Sequence, residues 1–288
     1  MSTLVGQYVH LDGRLVLGAQ ARVKAFDRGF LYADGLFETV RIYRGRPFAL
    51  PAHFERMAAA AGVLGLRLPK RPWAEDIAAL LRRNGMQDAD GWVRITITRG
   101  AGTPGLLPPP RLRPTVFMFA GRLAPAVQRV QRDGVRVILL PFARQGILAE
   151  LKLLDYVPGI LGRRLAARRD AYEGLYVDPD GYVTEAATAN VFAWNGRRLI
   201  TPPLANILPG VTRRLVIELA AAEGLQVVER RLKATELLAA REAFLTSSTA
   251  EVVPIVAIDA RRVGDGAVGP QVRRLQTLYR QLVDKMMA

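Results

Sequence analysis

Apolar and polar residues alternate over short stretches of the first 120 residues, as expected for half-buried β-strands. Between these stretches, two segments space their apolar residues at helical intervals, and the first of them begins at a proline. The predicted elements are hairpins at 8–16 and 36–50, helices starting at Pro51 and spanning 73–84, and strands at 91–99 and 114–120. Together they predict a small α+β domain at residues 1–120, built on an antiparallel sheet.

The rest of the chain mixes strand and helix patterns and predicts a larger α/β domain at residues 133–288. The predicted strands are 134–140, 173–178, 181–185, 189–201, 225–231, 242–246 and 252–258, and the predicted helices are 155–169, 211–223, 234–240 and 270–287. Residues 121–132 are polar and lack helical spacing, so we expect an interdomain linker there. The expected fold class is therefore α/β in two domains.

Half of the 288 residues are apolar, which is enough for a substantial core. No apolar run approaches the ~20 residues of a membrane helix, and the N-terminus has no basic start followed by an apolar stretch. The absence of cysteine excludes disulfides and thiolate metal sites, and two histidines exclude a histidine-rich metal site. We expect a cytoplasmic enzyme without a metal site, a signal peptide or a membrane segment.

The net charge of +15 makes nucleic-acid binding a distant alternative. The arginines stand singly or in pairs, however, and several pairs fall on the polar faces of predicted helices. The chain has no basic tail and no arginine run interleaved with aromatic residues, as nucleic-acid-binding segments often have. Solvated arginines account for the charge, and we expect no nucleic-acid partner.

Lys152 lies in the apolar run ILAELKLLDYVPG, residues 147–159, in a chain that otherwise carries its positive charge almost entirely on arginine. The other lysines are Lys24, Lys70, Lys233 and Lys285. A lysine whose surroundings exclude water has a lowered pKa, and its free amine attacks carbonyl groups. Arginine stays protonated and does not form imines. The alternative is a lysine at a strand edge with its ammonium group in solvent.

Four other features can carry chemistry, although each also has an ordinary structural interpretation. Glu185 in GYVTEAATANVF follows a strand, where most glutamates are simply solvated. The segment LPGVTR, residues 208–213, predicts a helix start, which binds phosphate readily but is also an ordinary cap. The hydroxyl-rich TSSTAE, residues 246–251, suits an anion or a turn. Arg56 in HFERM binds anions or lies solvated on its helix.

In combination and order, these features resemble the fold-type IV pyridoxal-phosphate enzymes, which include branched-chain aminotransferases, D-amino-acid aminotransferases and 4-amino-4-deoxychorismate lyases. The resemblance extends from FDRGFLYADGLFETVR, residues 26–41, to the helix at 270–287. It implies two domains with pyridoxal 5′-phosphate between them. It also implies a homodimer in which the partner's small domain completes the pocket.

The resemblance implies a role for each matching residue. Lys152 forms the internal aldimine and shuttles a proton, and Glu185 keeps the pyridine nitrogen protonated so that the ring accepts electrons. The other implied cofactor contacts are Arg56, Val211, Thr212, Ser248 and Thr249 to the phosphate, Leu208 to the ring, Tyr156 to the phenolic oxygen, and Asn190 in the turn after Glu185. We expect an apolar substrate pocket from Phe30, Tyr32 and Phe37, with Arg94 or Arg41 aiding a carboxylate.

The implied activity is a ping-pong transfer of an amino group between an amino acid and a 2-oxo acid, in the manner of branched-chain aminotransferases or related enzymes. The loop TRGAGTPGLLP lacks the histidine of the best-known D-specific pattern. Asp155 stands where many relatives have asparagine, and Thr39 also looks like the lyases. The runner-up is 4-amino-4-deoxychorismate lyase, which uses the same lysine and releases pyruvate and 4-aminobenzoate.

Overall fold

A computed structural model describes residues 7–287 and divides the chain into two units. The first unit comprises the described residues up to Leu123 together with Lys152–Asp155 and Met287; the second comprises Ala124–Leu151 and Tyr156–Met286. Residues 1–6, on which the signal-peptide expectation largely depends, lie outside the described residues. Between residues 7 and 287, no helix is long and apolar enough to cross a membrane.

The first unit contains an antiparallel six-stranded sheet in the order β2-β1-β6-β5-β3-β4. Its strands are β1 (Tyr8–Leu11), β2 (Arg14–Leu17), β3 (Gly35–Tyr43), β4 (Arg46–Pro47), β5 (Gly91–Thr98) and β6 (Thr115–Arg122). The β1–β2 turn has φ of 50° at Asp12 and 95° at Gly13, which suits a two-residue hairpin and explains the Asp-Gly pair. Both predicted hairpins are confirmed, although β4 is only two residues long.

The helices of the first unit are α1 (Arg28–Tyr32), α2 (Leu50–Leu64) and α3 (Trp73–Arg83). Pro51 stands in the first turn of α2, where a missing amide hydrogen costs no helical bond. Ile77, Leu80 and Leu81 of α3 are buried, as their spacing predicts. The buried face of α2 includes His53 and Met57, and α2 packs on β3.

The second unit contains a ten-stranded sheet whose main path runs β12-β11-β10-β14-β15-β7-β8-β9-β13, with β16 paired to β15. Its strands are β7 (Val135–Leu140), β8 (Glu173–Val177), β9 (Tyr182–Ala186), β10 (Asn190–Trp194), β11 (Arg198–Thr201), β12 (Gln226–Glu229), β13 (Leu232–Lys233), β14 (Glu242–Ser247), β15 (Glu251–Ile258) and β16 (Arg261–Arg262). The β7–β8, β7–β15 and β11–β12 pairs are parallel, and the other pairs are antiparallel. Buried Val137, Leu175, Val191 and Leu245 belong to its core.

The helices of the second unit are α4 (Ala126–Asp133), α5 (Ile147–Glu150), α6 (Val157–Ala167), α7 (Val211–Ala222), α8 (Ala234–Leu238) and α9 (Pro270–Met287). Helix α4 occupies most of residues 121–132, so the expectation of a helix-poor linker there was wrong. Val127 and Val130 pack against the core and Gln131 is buried, while the other polar residues of α4 face solvent. One narrow apolar face is therefore enough to hold this short helix. The predicted domain limits stay a prediction.

Candidate active site

Lys152 is fixed by main-chain pairing to the edge of β3. Its carbonyl oxygen accepts a hydrogen bond from the Phe37 amide at 3.0 Å, and the Leu154 amide donates to the Gly35 carbonyl at 3.2 Å. Leu153 forms an antiparallel bridge with Leu36 between these two bonds. Lys152 therefore lies at a strand edge, as the alternative interpretation predicts, but its side chain is half-buried.

Phe37 and Arg94 lie beside the Lys152 amine. The Phe37 ring is buried, with Lys152 Nζ at 4.6 Å and Arg94 Cζ at 3.6 Å from its centroid. Both cations lie close enough for cation–π attraction. Arg41 is buried elsewhere on β3: it donates to Asp90 Oδ2 at 3.1 Å and lies 4.5 Å from the Tyr43 ring centroid. The structure brings Lys152, Phe37 and Arg94 together and gives Arg41 other partners.

Phe30 and Tyr32 lie on α1, which is tied to the following loop. The Tyr32 hydroxyl accepts a hydrogen bond from the Gly105 amide at 2.9 Å, and Arg28 donates to the Gly105 carbonyl at 2.7 Å. Asp34 accepts from both Arg28 and Arg99 at 2.7 Å. These bonds anchor the loop that carries Gly105 to α1. The Phe30 side chain is 77% exposed within the chain.

A buried ionic cluster joins β3 to α2. Arg56 donates to both oxygens of Glu38, at 2.8 Å from Nε and 2.6 Å from Nη2, and His53 Nδ1 lies 2.8 Å from Glu38 Oε2. Burial acts to raise the pKa of Glu38, but the charge of Arg56 and the hydrogen bonds from His53 and Arg56 outweigh it. They lower that pKa to about 2. Arg56, expected as a phosphate contact, thus already has a carboxylate partner.

The charge state of Glu38 decides the tautomer of His53. Burial lowers the pKa of His53 despite the opposing effect of Glu38, and the charges of Arg56 and Lys152 lower it further. An ionised carboxylate only accepts hydrogen bonds, so the proton of a neutral His53 lies on Nδ1. Because the charge of Lys152 lowers the pKa of His53, the ionic cluster and the lysine amine interact electrostatically within the first unit.

Neither Glu38 nor His53 was expected from the sequence as a site residue. One signal for Glu38 was present, because it occupies the apolar face of β3 between Leu36 and Val40, where a charge requires a partner. A histidine and an arginine three residues apart on the next helix were candidates for that partner.

Glu185 is the centre of a second group of residues, in the second unit. It is buried near the end of β9, and its Oε2 accepts hydrogen bonds from the Leu208 amide at 3.0 Å and from Asn190 Nδ2 at 3.4 Å. Arg144, which no sequence motif identifies, places its Nη1 3.5 Å from Oε1. Asn190 also donates to the Leu208 carbonyl at 2.9 Å, which links the start of β10 to the segment before α7.

Helix α7 begins beside Asn190. A Cβ at Gly210 would lie 2.0 Å from Asn190 Oδ1, so only glycine permits this approach. Gly210 is the N-cap, and no side chain between residues 7 and 287 caps the helix, although Thr212 is buried in its first turn. The amides of a first turn lack helical acceptors and attract anions.

The hydroxyl-rich turn is adjacent to the same strand end. Thr246 pairs with Asn190 across β14 and β10, and half-buried Ser248 and Thr249 follow it. The Thr246 hydroxyl is buried and has no hydrogen-bond partner among residues 7–287. A helix start, hydroxyls and an unpaired buried hydroxyl together fit a phosphate group.

Tyr156 occupies the N-cap position of α6, and its hydroxyl lies 3.5 Å from the carbonyl oxygen of Ala187, two residues after Glu185. The predicted residues Tyr156, Glu185, Asn190, Leu208, Val211, Thr212, Ser248 and Thr249 all belong to the second unit. The chain thus offers an amine beside an arginine in one unit, and a buried carboxylate with an anion-binding group in the other. Such groups are typical of enzymes that use a phosphorylated aldehyde cofactor held by a lysine.

Comparison with known proteins identifies the family. The model of the amino-transferase class IV family matches residues 35–258. A putative branched-chain-amino-acid aminotransferase of Methanocaldococcus jannaschii is 34% identical over 96% of this chain and 96% of its own length. The aminodeoxychorismate lyase of Bacillus subtilis is 33% identical over 96% of this chain and 95% of its own. The chain belongs to the class IV aminotransferases.

A solved structure supports the same assignment. The crystal structure of the Escherichia coli branched-chain amino acid aminotransferase superposes with a TM-score of 0.88 at 25% identity. The match covers 96% of this chain and 94% of that one. The expectation of a fold-type IV enzyme is confirmed. The chain is a pyridoxal 5′-phosphate-dependent aminotransferase of this class.

Proposed function

We propose that this enzyme prefers an amino donor with an apolar, branched-chain-like side chain and passes the amino group to a 2-oxo acid. The observation that carries the proposal is the grouping of the Lys152 amine with the Phe37 ring and the Arg94 guanidinium. An aromatic surface suits an apolar side chain, and arginine suits a carboxylate. The putative branched-chain relative at 34% identity supports the same preference.

We assign cofactor-binding roles on the same basis. Lys152 supplies the amine that holds the cofactor's aldehyde, and Glu185 pairs with the pyridine nitrogen. The phosphate contacts are Val211 and Thr212 at the start of α7, Ser248 and Thr249 in the hydroxyl turn, and Arg56. Arg56 pairs with both oxygens of Glu38, and this pairing orients its guanidinium group. Leu208 contacts the ring, Tyr156 the phenolic oxygen, and Asn190 supports Glu185.

Pyridoxal 5′-phosphate, when bound, supplies an aldehyde that captures amino groups and a ring that accepts electrons released at Cα. Lys152 removes the proton from Cα of the amino acid and returns a proton to Cα in the reverse half-reaction. Glu185, held by Asn190 and the Leu208 amide, keeps a proton on the pyridine nitrogen. Arg94 binds the substrate carboxylate and orients Cα toward Lys152, while Phe37 excludes water from the amine.

Phe30, Tyr32 and Arg41 remain candidate substrate residues. The exposure of Phe30 fits a pocket completed by a second copy of the chain, and we propose a homodimer. Several exposed apolar side chains of α5 and α6 support this, because exposed apolar surface often marks a contact surface. They include Ile147, Leu148, Val157, Ile160 and Leu161. Light scattering is expected to give twice the 31.7 kDa of one chain, and a single-chain mass would contradict the dimer.

We also propose a cytoplasmic location, with an amino acid and a 2-oxo acid as the only partners besides the second subunit. Immunoblotting of fractionated cells tests the location. A cell fraction enriched in secreted or envelope protein that retained the enzyme would contradict it.

The proposed substrate class is tested by spectroscopy. The visible band of the purified enzyme is measured while L-leucine, L-valine, L-glutamate, D-alanine and D-glutamate are added in turn. We expect the branched-chain L-amino acids to bleach the band and 2-oxoglutarate to restore it. Bleaching by D-amino acids alone would overturn the proposed preference and assign the opposite handedness.

4-Amino-4-deoxychorismate lyase is the second candidate, because the lyase of Bacillus subtilis is 33% identical over nearly the whole chain. Thr39, beside Glu38, also resembles the lyases. A lyase converts 4-amino-4-deoxychorismate to 4-aminobenzoate and pyruvate and has no need of an amino acceptor. Release of 4-aminobenzoate, with no bleaching by any amino acid, would favour the lyase over the aminotransferase.

A further inference from the structure

The hydroxyl turn has an unusual residue at its end. Strands β14 and β15 pair Ser247 with Glu251 and leave a three-residue loop, 248–250, between them. Glu251 closes this loop with φ of 57°, in the left-handed region that favours glycine. A side chain at such a position is disfavoured by its Cβ and persists where surrounding contacts hold it.

Contacts of this kind surround Glu251. Its carboxylate is buried and accepts a hydrogen bond from Arg280 Nε of α9 at 2.6 Å. Arg280 Nη2 donates to Gln131 Oε1 of α4 at 2.9 Å, and Gln131 Nε2 donates to the Ala250 carbonyl at 2.8 Å. The three side chains therefore close a ring that starts and ends on the turn. We name Gln131, Glu251 and Arg280 the turn brace.

The brace is supported by its neighbours. Gln276 of α9 donates to the Gln131 carbonyl at 2.8 Å and to the Val252 carbonyl at 3.0 Å. Helices α4 and α9 are far apart in sequence. Helix α4 bonds to the backbone just before Glu251, and helix α9 bonds to the backbone just after it. Within the turn, the Ala250 amide donates a weak local bond to Ser247 Oγ at 3.3 Å.

We propose that the turn brace sets the cofactor affinity of the enzyme by holding Ser248 and Thr249 in the conformation that binds the phosphate. The inference depends on the proposed role of these two hydroxyls. Gln131, Glu251 and Arg280 touch no substrate in this account and act as positioning residues. Helix α9 thereby contributes to cofactor binding from outside the site.

The first test compares two arginines of α9 that each pair with a carboxylate from another element. Arg280→Gln breaks the brace, whereas Arg274→Gln breaks the pair with Glu223 at the end of α7. The two side chains have similar exposure. The dissociation constant of pyridoxal 5′-phosphate is measured from the visible band of the full-length chain, and that of pyridoxal, which lacks the phosphate, is measured beside it.

We expect Arg280→Gln to weaken the binding of pyridoxal 5′-phosphate about tenfold and that of pyridoxal less than about twofold. Arg274→Gln is expected to change neither. Equal affinities of the Arg280→Gln and wild-type chains for pyridoxal 5′-phosphate would overturn the brace, as would equal losses for both ligands. A wild-type chain that bound no pyridoxal 5′-phosphate would instead overturn the proposed cofactor site itself.

A second variant separates positioning from folding. Glu251→Gly relieves the unfavourable φ, so a purely structural role predicts an unchanged or higher melting temperature and unchanged affinity. The brace predicts a loss of affinity even where the cofactor-free protein melts no lower. If the glycine variant does not fold, Glu251→Gln, which keeps the side-chain shape, is measured in its place, and the turn brace predicts the same loss of affinity.

A third test removes the two hydroxyls on which the turn brace acts. In a Ser248→Ala, Thr249→Ala background, Arg280→Gln is expected to cause no further loss of cofactor affinity. An undiminished loss of affinity would contradict the proposed role of Ser248 and Thr249.

Discussion

Lys152 and Glu185 are both central to the proposed chemistry, but different kinds of contact hold them. Lys152 stands on a segment whose main chain pairs with β3 through the Phe37 amide and the Gly35 carbonyl. Glu185 depends on a mainly side-chain network, in which Asn190 and Arg144 approach its carboxylate together with the Leu208 amide. Main-chain pairing tolerates changes of neighbouring side chains, whereas a side-chain network depends on each of its members.

The contrast predicts a different response to mutation in each region. Around Lys152, only loss of the amine itself or of the buried charges nearby is expected to matter strongly. Around Glu185, substitution of any polar member is expected to reduce function.

Replacement of the amine is the largest expected effect. Lys152→Ala is expected to lower kcat by about 10⁴-fold or more, because the group that holds the cofactor and moves the proton at Cα is lost. Lys233→Ala, at a lysine on β13 of the second unit, is the matched control and is expected to retain full activity. Steady-state transamination assays compare the two. Comparable losses in both variants, or retained activity in Lys152→Ala, would remove Lys152 from the mechanism.

The buried charge of Glu38 is the next largest effect. Its pKa of about 2 in the folded chain lies below the ordinary 4.5, so its ionisation stabilises the fold above about pH 4.5, and this stabilisation is lost as pH falls toward 2. The difference corresponds to about 3 kcal/mol of unfolding free energy. Glu38→Gln is expected to lose about this amount at pH 7, because Arg56 and His53 are left without the carboxylate.

Urea unfolding at pH 7 and at pH 3 measures this effect. The difference in unfolding free energy between wild type and Glu38→Gln is expected to narrow at the lower pH.

Glu173→Gln provides the opposite case, because burial raises the pKa of Glu173 although Arg163, Thr188 and the Gly174 amide oppose this shift. A raised pKa costs stability as pH rises, so Glu173→Gln is expected to be no less stable than wild type at pH 8. Equal losses of unfolding free energy in Glu38→Gln and Glu173→Gln would show that burial of the side chain alone, and not the direction of its pKa shift, decides the effect of the substitution.

Loss of the Glu185 charge is expected to reduce kcat by about 100-fold. A hydrogen bond to a charged group contributes up to ~3 kcal/mol, and each 1.36 kcal/mol of barrier is a factor of ten. Glu185→Gln keeps the shape of the side chain and removes the carboxylate that keeps the pyridine nitrogen protonated. Glu173→Gln, at another buried carboxylate of the second unit, is expected to stay within about threefold of wild type. A kcat of Glu185→Gln equal to that of the control would exclude the proposed role.

The smallest effect tests the contrast between main-chain and side-chain support directly. Asn190→Ala removes two hydrogen bonds of ~1 kcal/mol each and is expected to lower kcat by up to about thirtyfold. Leu153→Ala truncates a side chain beside Lys152 but keeps the main-chain pairing, and its kcat is expected to fall less than about twofold. If Leu153→Ala lowered kcat as much as Asn190→Ala, the two regions would not differ in the way described.

Local chemistry made much of the fold predictable from sequence. The Asp12-Gly13 pair predicts its hairpin because both residues tolerate positive φ, and α3 is amphipathic in isolation. Helix α6 shows the limit of this reasoning. The spacing of Val157, Leu161 and Leu165 predicts the helix, but Val157 and Leu161 are exposed, and α6 instead buries Gly159, Gly162 and Ala166. Small residues allow close packing on a neighbour that sequence spacing does not reveal.

The candidate site shows the same contrast between residues that stand out in the sequence and contacts that depend on packing. Lys152 stands out because it is the rare lysine of an arginine-rich chain, and the resemblance to a known family gave the remaining candidates. Arg144 contacts Glu185 across 41 residues of sequence, and His53 contacts Glu38 on another element. Neither pair has a sequence motif, since each depends on how separate elements pack. Arg56 shows that a family motif identifies a residue without its neighbours, because Glu38 was not expected as its partner.

The central claim is that the cofactor is held by Lys152. The most direct measurement is reduction of the purified enzyme with borohydride, followed by proteolysis and mass spectrometry of every lysine-containing peptide. We expect the mass of the reduced cofactor on the peptide containing Lys152 and on no other peptide. Addition at Lys24, Lys70, Lys233 or Lys285, or no addition to a protein that shows the visible band, would contradict it.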